Sequence, residues 1–225
     1  MGDLEKLSEL HTFPDRDMGA AAGRYPRSEA MPTEVEDHGD PPAFVGISHR
    51  DFPFDFETVL GLYDVDKTRI TRFTRGIKFV AETLHVPLIL VERIVRYHEY
   101  AHAVHHRGVT KSNILPAEAA ELLRRNDLSY RSAPEETKEQ IAQLATLVVI
   151  RTRLQDVSNK EVRDVLDHML ETFFSLMGRQ SPRYQLASRT RHDDLPRLRD
   201  KLRLLLDMSD ACLWPSADFI RRIIE

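Results

Sequence analysis

Cysteine is almost missing from this chain. Cys212 is the only one, which excludes an intrachain disulfide framework and any cysteine-built zinc finger. Long apolar runs are missing too: mean hydropathy is -0.41, and no stretch approaches the roughly 18 residues that a membrane-spanning helix requires. The opening MGDLEKLSELHTF lacks a basic segment followed by an apolar one, so no secretory signal is expected. A lone thiol without a signal points to a reducing, cytoplasmic setting. Strong charge of either sign is likewise absent. The net charge of -4 argues against nucleic acid as a bulk electrostatic partner.

The chain does contain enough apolar material for one ordinary domain: 225 residues, 41% of them hydrophobic, can bury a core without staples. Its 32 basic residues divide into 25 Arg and 7 Lys. Arg suits bidentate or stacked contacts, so the Arg-rich C-terminal helices are a candidate surface for a protein partner. Compositional bias and solvated helix faces account for the same excess.

Residues 1–42 read as a flexible N-terminal arm. From Phe13 to Pro42 the chain is rich in Pro, Gly and acidic residues and has no periodicity. Before that stretch, Leu4, Leu7 and Leu10 outline a short amphipathic segment. Residues 43–225 read as the ordered domain. Thr58–Tyr63 and Arg69–Phe73 flank the turn residues Asp64–Lys67, which predicts a β-hairpin. Ile77, Val80, Ala81 and Leu84 share one helical face, His85-Val86-Pro87 interrupts it, and a second helix is expected from about Pro87 to His106. Further helices are expected over 116–125, from a capping-box start at Ser132–Glu135 to about Arg153, and over 158–178. C-terminal helices follow from about residue 186, over 195–208 and 216–224. The expected class is therefore mainly α, an α+β fold with a small hairpin or sheet on a helical core.

The chemistry is concentrated in His98-Glu99-Tyr100-Ala101-His102, an H-E-x-x-H pattern on the second helix. Four residues turn a helix through about 400°, so both imidazoles face the same way and can share one tetrahedral metal. Glu99 lies beside them, placed to take a proton from a metal-activated water without ligating the metal. Ten His and seventeen Glu in 225 positions would produce this pattern by chance about 0.03 times.

A third ligand is required. The extended pattern with a glycine and a third histidine fails, because His105 stands where the glycine should be and Gly108 where the histidine should be. One straight helix cannot easily supply three ligands to one ion, so His105 and His106 read as exposed or supporting residues. A carboxylate on a following helix is the better source. Glu139 leads, at the start of a long apolar helix and one turn before small Ala142. Glu135, Glu136, Glu118 and Glu121 compete, the first two being explained equally well by the helix dipole.

The run from Leu60 to Gly108, with its hairpin LGLYD…RITRF, a helix and then HEYAH, resembles the core of zincin metallopeptidases. KEQIAQL resembles the glutamate helix of the gluzincin branch, which includes thermolysin. The resemblance covers roughly residues 58–150. It implies a zincin-like core, Zn²⁺ as cofactor, His98, His102 and Glu139 as ligands, Glu99 as general base, and a peptide or protein as substrate. Tyr184 is a candidate oxyanion donor, though a packing role explains a tyrosine there as well. Trp214 reads as a core anchor. The reading from a different class is a catalytically silent zincin-like scaffold that binds or regulates a partner.

Overall fold

Between Gln140 and Ile150 every residue is buried, although the stretch has no amphipathic stripe. A helix covered on all sides belongs at the centre of a fold, and the other elements are arranged around it. The computed structural model describes residues 14–26, 31–39, 59–110, 116–179 and 190–210. In chain order it contains α1 (Pro14–Ala22), β1 (Arg24–Pro26), β2 (Thr33–Asp37), β3 (Gly61–Asp64), β4 (Arg69–Phe73) and α2 (Thr74–Leu84). There follow α3 (Leu88–Arg107), β5 (Gly108–Thr110), α4 (Pro116–Ser132), α5 (Glu135–Asp156), α6 (Lys160–Met177) and α7 (Leu195–Asp210). This is the mainly α, α+β class expected.

Helices α3 and α5 form the central pair, with α6 and α7 against α5 and α4 against α3. Leu90, Ile94, Leu144, Leu147, Val148, Met169, Phe173, Leu198 and Leu202 are among the core side chains they share. Each fully buried side chain of this size stabilises the fold by about 1.5–3 kcal/mol. That packing also holds the run Val148-Val149-Ile150 helical despite the weak helix propensity of β-branched residues. His85 ends α2 in the left-handed region, φ 55°, and Pro87 precedes the first turn of α3, so the chain breaks where expected.

The sheet has the order β2-β4-β3. Strands β3 and β4 form the expected hairpin, with Tyr63 opposite Ile70 and Gly61 opposite Arg72. Strand β2 runs parallel to β4, Thr33 pairing with Arg69 and Asp37 with Phe73. A second, two-stranded antiparallel sheet joins β1 to β5.

Three expectations need correction. Residues 14–26 and 33–37 lie in the stretch read as a flexible arm, yet they form α1, β1 and β2. Met18 of α1 is fully buried, and Asp17 accepts from Tyr97 Oη at 2.9 Å and from Arg153 at 3.1 Å. The helix expected over 116–125 continues to Ser132. Finally, the capping box at Ser132–Glu135 does not form. Pro134 occupies the N-cap of α5 without a side-chain cap, and Ser132 Oγ donates back to the Ser129 carbonyl. The Leu4–Leu10 segment, Tyr184, Cys212, Trp214 and the helix expected over 216–224 lie outside the described residues. No helix among the described residues is long and apolar enough to cross a membrane.

Candidate metal centre

Helix α3 is apolar on its approach to the motif, and that burial draws the motif into the core. Glu99, His102, His105 and His106 are all buried, and His98 is partly exposed. Helix α5 crosses α3 so that Glu139 reaches both motif imidazoles. Small Ala142, itself buried one turn on, permits the close approach.

Three side chains meet here. His98 Nε2 lies 3.0 Å from Glu139 Oε2, and His102 Nε2 lies 3.2 Å from Glu139 Oε1. The two Nε2 atoms face each other at 3.2 Å. Without a cation, each imidazole can donate an Nε2–H to one oxygen of Glu139. A cation accepting a lone pair from each nitrogen and from the carboxylate satisfies all three. Among the described residues, His98, His102 and Glu139 form the one group with donors close enough to hold a metal ion. The competing carboxylates Glu118, Glu121, Glu135 and Glu136 are not part of it.

The electrostatics match the geometry. Burial works to raise the Glu139 pKa, yet the two imidazoles hold it far below the usual carboxylate range. Burial opposes protonation of His98, and the Glu139 carboxylate outweighs it, raising the imidazole pKa. Glu99 behaves in the opposite way to Glu139. Burial pushes its pKa up, against the pull of His98 and His102, and the like charge of Glu139 adds to the rise.

His102 is anchored from behind by a residue the sequence did not suggest. Tyr130 Oη lies 3.0 Å from His102 Nδ1, with the Lys138 ammonium 5.2 Å from the centre of the phenol ring. Burial keeps this phenol protonated, with its pKa well above 10. His98 Nδ1, in contrast, is buried with no hydrogen-bond partner among the described residues.

His105 and His106, expected to be exposed or supporting, are both buried, and both bond to polar groups. His105 Nε2 meets Ser209 Oγ at 2.8 Å. His106 lies between Tyr63 Oη, 2.8 Å from Nδ1, and Asp127 Oδ1, 2.7 Å from Nε2. Asp127 is an acceptor, so His106 donates through Nε2–H and accepts the Tyr63 hydroxyl at Nδ1. Burial, more than the nearby charges, depresses the His106 pKa to about 4, so the ring is neutral at physiological pH. Burial pushes the Tyr63 phenol up to about 12.

Sequence reasoning missed Tyr130 and Asp127 of α4 and Tyr63 of β3 because they reach the centre from elements other than the motif helix. A helix expected to stop at residue 125 offered no reason to place residues 127 and 130 on it. No protein-family model, curated protein or solved structure matches the chain.

Proposed function

We propose that this protein is a zinc-dependent hydrolase, and most specifically a peptidase of the zincin type. The observation that carries the reading is the meeting of His98 Nε2, His102 Nε2 and the Glu139 carboxylate at 3.0–3.2 Å, beside a buried acidic side chain at position 99. The donor set suits zinc, which takes nitrogen and carboxylate ligands at about 2.0–2.2 Å and keeps an open position when three protein groups hold it. Tetrahedral bonds of that length separate neighbouring donors by about 3.4 Å, so only a small outward movement of the three groups is needed. When bound, zinc supplies Lewis acidity that polarises a carbonyl and acidifies water.

His98, His102 and Glu139 bind and orient the ion in this reading, and Tyr130 sets the His102 ring. Glu99 takes the proton of the attacking water and returns it to the leaving amine. Burial raises its pKa, which makes it a stronger base toward the water proton. The substrate class, peptide or protein, follows from the resemblance of HEYAH and KEQIAQL to the zincin pattern.

The test compares zinc-loaded wild type with Glu99→Gln on a peptide library. The substitution keeps size and helix propensity and removes only basicity. Zinc content should persist and hydrolysis should fall by about 10²–10⁴-fold. Undiminished hydrolysis in Glu99→Gln would eliminate the mechanism. Absence of turnover by the zinc-loaded wild type would favour a silent scaffold.

A further inference from the structure

We propose that strand β3 is the seat of the Glu99 carboxylate, with Gly61 and Tyr63 as positioning residues. The proposal rests on the reading of Glu99 as general base. Two features of one strand meet this side chain. At position 61, a β-carbon would stand 2.6 Å from Glu99 Oε1, 2.7 Å from its Cγ and 2.8 Å from Cγ1 of Val95. Real β-carbons do not approach so closely, so any side chain at position 61 would force Glu99 or Val95 to shift. Two residues on, the Tyr63 backbone N–H works to lower the Glu99 pKa, the weakest of the influences on it. Residue 61 thus leaves the space that the Glu99 side chain occupies.

The strand is itself held in place. Tyr63 is buried, and its hydroxyl is fixed by His106, which Asp127 orients from the other side. His106 lies on α3 below the motif, so the strand is tied to the same helix that carries Glu99. On its other edge β3 pairs with β4. A carboxylate that must take and return a proton works only in a narrow range of orientations. A bare glycine leaves room for it, and the Tyr63–His106–Asp127 chain holds the strand beside it.

The test uses the full chain and two readouts. On a peptide that the zinc-loaded wild type cleaves, Gly61→Ala should lower kcat by at least about 10²-fold, as loss of the base does. KM and zinc affinity should stay close to wild type, because the added methyl meets Glu99 and Val95 first. The second readout needs no substrate. Gly61→Ala should lower Tm by about 4 °C or more in the wild-type background. In a Glu99→Ala background the same change should cost much less, the remainder coming from Val95. Equal Tm losses in both backgrounds would overturn the proposal whatever the kinetics show. Unchanged kcat in Gly61→Ala, where Glu99→Gln is inactive, would overturn it and leave the general-base reading standing. If Glu99→Gln hydrolyses like wild type, the general-base reading fails instead, and the paired Tm comparison still decides whether β3 seats the side chain.

Discussion

The phenol oxygen of Tyr130 lies 3.0 Å from Nδ1 of His102, on the side of the ring away from the nitrogen that faces Glu139. A metal at Nε2 leaves the imidazole hydrogen on Nδ1, and Tyr130 is then its acceptor. Partners of this kind fix ring orientation and tautomer, and losing one typically costs about 10–100-fold in metal affinity. Tyr130→Phe should therefore weaken zinc binding by that factor with the fold intact. Competition against a chromophoric chelator measures it. Unchanged affinity would mean that the contact is packing alone.

Glu139 and Glu136 occupy neighbouring positions at the start of α5, but only Glu139 reaches the imidazoles. Glu139→Ala should lose its zinc on dialysis against a weak chelator. Glu136→Ala should keep it and cost only about 0.3–1 kcal/mol, as an acidic residue in a helix's first turn does. Measuring zinc content and denaturation midpoint for both variants checks the register, and the reverse pattern would refute it.

The neutral, buried His106 makes stability depend on pH in a definite direction. Its folded pKa is about 4, against 6.5 when unfolded. Between those values the unfolded chain binds a proton that the native chain refuses, so stability rises with pH through the window. The contribution is complete above about pH 6.5 and lost as pH falls to about 4, an effect on the order of 3 kcal/mol. Burial depresses the His105 pKa as well, adding to the same trend. Denaturant midpoints from pH 7 to pH 4 should fall steadily for wild type and less steeply for His106→Gln. Parallel profiles would show that His106 titrates normally.

Met18 tests whether α1 belongs to the core. The side chain is fully buried in the same cluster as α3, α5 and α7 residues. Met18→Ala should destabilise the protein by about 2–5 kcal/mol. A change within about 0.5 kcal/mol, the usual effect of a surface substitution, would return α1 to the status of an appended arm.

What could be read in advance depended on whether a residue's partner lay in a local pattern. The motif helix and the β3–β4 hairpin were legible because spacing alone places them: i and i+4 imidazoles, and alternation about a turn. Glu139 was one of several candidate carboxylates, favoured by its place at the start of an apolar helix. Helix α1 was not legible. Its ties run from Asp17 to Tyr97 and Arg153, 80 and 136 residues away, and no apolar period announces them. Strand β2 was hidden for a similar reason. Its only aliphatic residue, Val35, is 39% exposed. The strand is held by backbone pairing to β4 and by Arg72 and Arg96 meeting Glu36 and Glu34. Gly61 was readable as a strand residue, but its lack of a side chain acquires meaning only with Glu99 beneath it.

A single zinc ion shared by His98, His102 and Glu139 is tested most directly by zinc-edge absorption spectroscopy on the stoichiometrically loaded chain. One equivalent should bind, with two imidazole nitrogens and one carboxylate from the protein in its shell and a position left for solvent. His98→Ala and His102→Ala should each abolish that binding. Failure to bind, a closed shell of four protein ligands, or an unchanged spectrum in either histidine variant would contradict the catalytic assignment.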